Sequence, residues 1–523
     1  MTAVTSTERL EGGATQEGTR RGAESFGAGA RTLGRTGWSV TPIGFGGYRV
    51  RDESPVHRRA LADALRGGVN LIDTSSNYGD GESERLVGRI VCNLVQQGEV
   101  RREQLVLVSK LGYLQGDNLR RAQSRAEPYP QLVEYGEQLW HCIHPSFIRD
   151  QLQESLQRLA LSRLDVVLLH NPEYFLSDAA RRGVALPEAR AEFDARIRAA
   201  FVALEEAVTR GEIGAYGVSS NGFVLPATDP ASVSVSRIVA LAEEVAGSEH
   251  NMSVVQMPMN LLELAAVNDS PAPGEATPLQ QAEAADLGVL VNRPLNALVA
   301  TGGSGTGATR RLVRLASGGA APDPGQRSLD TALAAARKLE ARWATGLGQQ
   351  LVIEAGEDVG DLFRWARELS ARVDEMTSLQ QWSALRHDVI APHLGKTSSA
   401  LLSALQGTDR ESFAQWWEAY GTAMHTVFTA IEARISADRF AQADEITRRL
   451  DPLLPEPWRA MPLSAKAVLP LLGAPISAVL VGMRQPGYVA DMLVLRATPV
   501  RLLSAAAGVV DLGAVAAALS NLP

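Results

Sequence analysis

From Gly37 onward the chain alternates short apolar, β-branched runs with amphipathic helical patterns, and no other feature limits the possible folds so sharply. Strand-like runs fall at 43–47, 70–73, 104–110, 164–170, 213–220, 253–259, 288–294 and 478–483. Helical patterns lie between them, such as 56–66, where Leu61 and Leu65 share a face, and 146–159, which carries Phe147, Ile148, Leu152 and Leu156. Parallel strands need a crossover between them, and a helix supplies it while covering the sheet. Eight such units predict a closed (β/α)8 TIM barrel, with an open doubly wound sheet as the alternative.

The regular alternation breaks once. Between the seventh and eighth strand runs the chain passes through Gly302-Gly303-Ser304-Gly305-Thr306-Gly307 and then into long helical patterns. Leu329, Leu333, Ala336, Leu339, Trp343 and Leu347 recur at helical spacing, as do Phe413, Trp416, Tyr420, Met424, Val427 and Ile431. Trp343, Trp365, Trp382, Trp416, Trp417 and Trp458 all fall in this stretch, which therefore carries apolar surface for a core of its own. The expected organisation is a disordered leader at 1–30, a barrel formed by 31–300 and 463–523, and an all-helical insertion at 301–462, after the seventh strand. The glycine run lacks the Lys-Ser/Thr ending of a nucleotide-binding loop and reads as a flexible linker. By the family resemblance that the motifs below carry, residues 464–472 correspond to the helix before the eighth strand, which puts the insertion in a strand-to-helix connection. Such connections border the catalytic face of a barrel, which suits either a cover for the pocket or an oligomer contact.

Charge narrows the function. With 51 Lys and Arg against 59 Asp and Glu, the net charge is -8, and no basic face is expected that would draw nucleic acid or an anionic membrane. Cys92 and Cys142 cannot build a disulfide framework, which fits a reducing cytoplasm. The apolar tail from Val500 to Leu522 is broken by Arg501, Asp511 and glycines and reads as a packed terminal helix, not a membrane span. The first thirty residues lack the apolar segment of a secretory signal.

In a (β/α)8 barrel the reactive groups sit at the C-terminal ends of the strands. Asp73 closes the second strand run with Tyr78 in the loop beyond it, Lys110 closes the third, and His170 the fourth. Singly, each has a plain structural reading as a cap or a satisfied strand-end residue. Together they make chemical sense. A phenol with an ordinary pKa near 10 is a poor proton carrier at neutral pH, but an adjacent ammonium stabilises its phenolate and a carboxylate holds that ammonium in place. An imidazole beside them orients a carbonyl oxygen. In Trp140-His141-Cys142-Ile143-His144 the spacing is too cramped for tetrahedral zinc, and no metal is expected. His141 or His144 is instead a candidate for the pocket wall, against a reading as helix-entry packing before Pro145.

These residues carry a resemblance. Leu71-Ile72-Asp73-Thr74-Ser75-Ser76-Asn77-Tyr78-Gly79, Ser83-Glu84, Val108-Ser109-Lys110 and Leu168-Leu169-His170 resemble the signature segments of the aldo-keto reductase family. Gly44-Phe45-Gly46-Gly47, Tyr216-Gly217-Val218-Ser219-Ser220-Asn221, Val255-Gln256-Met257 and Val481-Gly482-Met483-Arg484 extend it in the family's order. The resemblance implies a catalytic tetrad of Asp73, Tyr78, Lys110 and His170, and NADPH as cofactor, with NADH the less common choice. It also implies that Ser220, Asn221 and Gln256 hold the nicotinamide carboxamide, while Gly482, Met483 and Arg484 approach the adenosine phosphates. The expected substrate is a small aldehyde, ketone or sugar, or the corresponding alcohol.

Three positions depart from the family pattern. Asn292 stands where many members stack a Tyr on the nicotinamide, and Arg293 beside it offers a cation for the pyrophosphate or an ion pair at the rim. Met492 replaces an Asn that commonly meets adenine. Tyr488 replaces an Arg that meets the 2'-phosphate, which leaves Arg484 for that role. The competing function is a nicotinamide-binding regulatory or scaffolding protein that uses the insertion as its binding surface. A metal-dependent barrel hydrolase is disfavoured by the lack of clustered strand-end His and carboxylates.

Overall fold

The computed structural model describes the chain except for residues 1–8, 302–308, 317, 324, 326, 347, 350–360, 498–509, 521 and 523. Eight parallel strands close on themselves in chain order. They are β1 (Ile43–Gly46), β2 (Leu71–Asp73), β3 (Val106–Leu111), β4 (Leu164–His170), β5 (Ile213–Ser219), β6 (Met252–Pro258), β7 (Gly288–Asn292) and β8 (Ala478–Val481). Each strand-like run of the sequence forms one of them. Closure excludes the open sheet, because β8 pairs with β7 through Leu290↔Ala478 and with β1 through Val479↔Ile43.

Alternate residues of the strands fill the interior. Val106 and Val108, Val166 and Leu168, and Ala478 and Leu480 point inward at the two-residue period of a strand and pack with Leu71, Ala215, Val254 and Leu290. A short hairpin of Arg31–Thr32 against Ser39–Val40 adds Leu33, Trp38 and Val40 to the same cluster. The interior at that end is apolar and full, so the polar strand ends at the other mouth are where chemistry can sit.

The expected disordered leader needs correction from residue 9 onward. Gln16–Glu24 is a helix capped by Thr15, and Ala14, Ala23, Phe26 and Ala28 are buried. Asp165 on β4 ties the segment down, accepting from Ala14 N at 2.7 Å, from Leu107 N at 2.7 Å and from the buried Arg102 at 2.9 Å. The contact is one of small residues: a Cβ on Gly18 would come within 2.4 Å of the Glu103 carbonyl oxygen. Close approach of backbones needs few large apolar side chains, so the composition of the leader carries little sign of it.

The excursion between β7 and β8 begins with a feature absent from the sequence reading. Asn296–Thr301 pairs antiparallel with Thr309–Arg314, with Ala297 opposite Val313 and Leu298 opposite Leu312. The stretch expected to be linker is thus flanked by a paired hairpin; Gly302 to Gly307 themselves lie outside the described residues. The chain divides into one unit of 1–316 with 448–523 and a second of 317–447, a narrower excursion than the expected 301–462. Trp458, assigned to the insertion by sequence, is buried in the first unit, where Lys466 also pairs with Asp451 at 2.6 Å. The predicted helix before β8 is present as Leu463–Val468 followed by a 3-10 turn, and Leu512–Ser520 forms a helix near the C-terminal end.

The second unit is helical among its described residues, with Leu329–Thr345, Trp365–Arg372, Leu379–Ala384, Ala391–Ala404 and the start of the long helix Gly407–Leu450. Its core holds Trp343, Phe363, Trp382, Phe413, Tyr420, Met424, Val427 and Ile431. Both helical stripes read from the sequence contribute to it; Leu347 lies outside the described residues. Buried Glu340 organises this core by accepting from Ala366 N at 2.6 Å, Arg367 N at 3.1 Å and Tyr420 OH at 2.9 Å.

Candidate active site at the barrel mouth

Strand ends bring the four predicted catalytic residues together. Lys110 Nζ, fully buried near the end of β3, donates to Asp73 Oδ2 at 2.6 Å, to the Thr74 carbonyl at 3.0 Å and to Tyr78 OH at 3.2 Å. Three acceptors exhaust the three protons of an ammonium, so the charged form has a complete shell. Burial opposes that charge, but Asp73 and then Tyr78 outweigh it, and the Lys110 pKa is held above its ordinary value. For Tyr78 burial dominates and raises the pKa, with Lys110 the largest opposing influence. At neutral pH the phenol therefore keeps its proton.

His170 stands across from this pair, its ring edge-on to Tyr78 with centroids 5.9 Å apart. Burial and then the Lys110 charge push its pKa well below the ordinary imidazole range, so it is neutral. Its Nδ1 lies 3.1 Å from Ser75 Oγ, which leaves Nε2 for another partner. Ser75 also donates to Asn77 Oδ1 at 2.7 Å, and Asn77 Nδ2 donates to Gln115 at 2.9 Å. This chain of side chains was not foreseen, because short polar residues in a loop read as turn formers.

The expected cofactor residues divide by their present partners. Gln256 on β6 donates from Nε2 to Asp73 Oδ1 at 2.9 Å and accepts at Oε1 from Ser219 at 3.1 Å and Asn292 Nδ2 at 3.3 Å. It couples β2, β5, β6 and β7 at the mouth. Asn292 Oδ1 is buried with no partner. Ser220 Oγ donates to Glu173 Oε2 at 2.8 Å, and Asn221 N donates to Glu173 Oε1 at 3.0 Å, while the Asn221 side chain is exposed. Glu173 was not singled out by sequence, since it lies three residues past His170 in a segment that reads as helix entry. Gly482 is exposed after β8, with open space where a Cβ would stand; Met483 is buried and Arg484 half-buried. Arg293 pairs with Glu263 at 3.2 Å while its buried Nε has no partner. Met492 is buried in the protein, and Tyr488 is half-buried.

Neither histidine of the 140–144 segment faces the open mouth. His141 is 1% exposed, donates from Nε2 to the His170 carbonyl at 2.8 Å, and stacks on Tyr174. His144 caps the helix Pro145–Leu159 by accepting from Ser146 N, the helix-entry role. Tyr48, exposed after β1, stands edge-on to Tyr78 at 5.2 Å between centroids and completes one wall of the mouth.

Parts of the chain are similar to known proteins. Residues 42–295 match the model of the Aldo/keto reductase family. The NADH-specific methylglyoxal reductase of Escherichia coli is 30% identical over 143 residues, which is 27% of this chain and 38% of that protein. The D-threo-aldose 1-dehydrogenase of a Pseudomonas species is 26% identical over 195 residues, 35% of this chain and 51% of that protein. The chain thus spans about half or less of the length of these curated relatives. A crystal structure of an aldo/keto reductase from Klebsiella pneumoniae with NADP and acetate aligns over 51% of this chain and 68% of that one, at 21% identity and a TM-score of 0.32. The family-model match lies across the strands that carry Asp73, Tyr78, Lys110 and His170, so the barrel segment of this chain, residues 42–295, is similar to the Aldo/keto reductase family.

Proposed function

We propose that the barrel is an NAD(P)H-dependent oxidoreductase that interconverts a small carbonyl compound and its alcohol, with Tyr78 as the proton-transferring residue. The observation that carries this reading is the position of Lys110 Nζ, fully buried between Asp73 at 2.6 Å and Tyr78 OH at 3.2 Å. An ammonium so placed stabilises the phenolate that forms as Tyr78 gives its proton to an oxygen, and Asp73 keeps the ammonium from moving. His170, neutral and backed by Ser75, orients that oxygen from the other side.

The residues fit a nicotinamide cofactor. Asn292 Oδ1 is a buried acceptor without a partner, next to the Gln256 amide, which suits the donor end of a carboxamide. The exposed Asn221 side chain adds a further amide, and the open backbone at Gly482 with the neighbouring Arg484 suits phosphate. Arg293, engaged by Glu263, is left out of this set. When bound, the nicotinamide supplies or accepts the hydride at the substrate carbon. The remaining chemistry belongs to the chain: Tyr78 moves the proton, Lys110 and Asp73 set its readiness, and the aromatic ring of Tyr48 walls the mouth. NADPH is the preferred form and NADH the alternative.

Tyr78→Phe removes one oxygen and keeps the ring. Turnover of a panel of aldehydes, ketones and sugars should fall by about 10²-fold or more, while cofactor binding followed by fluorescence stays within a few-fold of the parent. Retained turnover would remove Tyr78 from its role. If the parent protein binds cofactor tightly but turns over none of the panel, the nicotinamide-binding regulatory reading takes its place.

A further inference from the structure

Glu173 is a buried carboxylate without a cation. It is 6% exposed, and among the described residues no Lys, Arg or His pairs with it. Its oxygens are met by neutral donors alone, Ser220 Oγ at 2.8 Å and Asn221 N at 3.0 Å. Asn171 turns its amide to Tyr113 OH at 2.6 Å, and Tyr113 and Tyr174 pack edge to face with centroids 5.3 Å apart. A buried anion with no counter-charge is unfavourable by itself, and burial accordingly raises the Glu173 pKa to about 7. Other charged groups at the mouth are already balanced, Lys110 by Asp73 at 2.6 Å and Arg293 by Glu263 at 3.2 Å.

Of the two residues that hold Glu173, Asn221 is one that the proposed function sets near the nicotinamide carboxamide, and Ser220 precedes it directly in the chain. The nicotinamide ring is cationic when oxidised and neutral when reduced. We infer that Glu173 is a redox-selective positioning residue: its carboxylate, seated behind Ser220 and Asn221, strengthens binding of the oxidised cofactor relative to the reduced one. The effect is electrostatic and acts through a low-dielectric wall, so it separates two ligands that make the same hydrogen bonds. A purely structural role, bracing the loop at Ser220 and Asn221, would weaken both forms by the same factor. In the reducing direction, favouring the cation also favours the ring that has already given up its hydride, in keeping with a Tyr78 that holds its proton at neutral pH.

The inference rests on the cofactor reading above, and the test separates the two. Dissociation constants for the oxidised and reduced cofactor would be measured by calorimetry and by nucleotide fluorescence on the full-length chain, its Glu173→Gln and Glu173→Asp variants, and Gln256→Ala. At about pH 8 and above, where a group with a pKa of about 7 is ionised, Glu173→Gln should lower the preference for the oxidised form by about tenfold or more, as a unit charge within about 12 Å at an effective dielectric near 20 implies. Glu173→Asp, which keeps the charge, should retain most of that preference. An equal change in both constants in Glu173→Gln, or an unchanged ratio, would overturn the inference and leave a loop brace. Unaltered binding of both forms in Gln256→Ala would instead count against the cofactor reading itself. If Glu173→Gln fails to fold, the Glu173→Asp ratio decides: a preference lost with the charge still present overturns the inference.

Discussion

The imidazoles of His141 and His170 are neutral for the same reason, burial, and that has a consequence for stability. The His141 pKa is lowered from 6.5 to about 4, with burial the leading cause and the His170 carbonyl opposing it. Between those values the unfolded chain binds a proton that the folded chain refuses, so stability falls as pH drops through 6.5 and the loss is complete near pH 4. A gap of that size is worth roughly 3 kcal/mol at full effect, and His170 acts in the same direction. His141→Gln, which keeps a donor for the His170 carbonyl, should lose less stability between pH 7 and pH 4.5 than the parent protein in urea unfolding. An equal loss would show that His141 does not titrate in this way. At this scale the gathering of Asp73, Tyr78, Lys110 and His170 was legible because strand ends and the barrel rule place them before any coordinates are known. Glu173 and Ser75 were not, since a lone carboxylate or hydroxyl in a loop is ambiguous until its partners across the barrel are seen. Whether His141 lines the pocket was left open, because sequence position gives the loop but not the facing of a side chain.

Among elements, β4 does more than carry His170. At its other end Asp165 gathers Arg102, Ala14 N and Leu107 N, joining the N-terminal segment to the barrel. Asp165→Ala leaves Arg102 buried without its carboxylate and strands two backbone donors, which should cost about 3–5 kcal/mol. Denaturant unfolding measures it, and a loss below about 1 kcal/mol would mean that the leader is held by its apolar contacts instead. The strands were legible from periodicity. The leader and the hairpin Asn296–Thr301 with Thr309–Arg314 were not: one packs through glycine and alanine, and the other frames a glycine run whose composition reads as linker.

For the whole molecule, the two units hold separate buried clusters. One lines the barrel around Val108, Leu168 and Leu290, and the other surrounds Trp343, Trp382 and Tyr420. Calorimetry should therefore resolve two unfolding transitions. Trp382→Ala, at a side chain 2% exposed, should destabilise its own unit by about 3–5 kcal/mol and lower one transition while leaving the other in place. A single transition that moves as a whole would show that the clusters unfold together.

The barrel's last strand comes late. β7 ends at Asn292 and its neighbour β8 begins at Ala478, yet the two meet at Leu290↔Ala478 and Val291↔Val479. During synthesis, β1 and β7 must wait with one edge unpaired until residues 293–477 have emerged, whereas the helical cluster of 317–447 is complete before β8 exists. Closure joins segments far apart in the chain, an entropic burden that slows folding and exposes strand edges meanwhile. The ribosome thus delivers the second core before it delivers the piece that shuts the first, and chains truncated ahead of Ala478 should be the ones that aggregate.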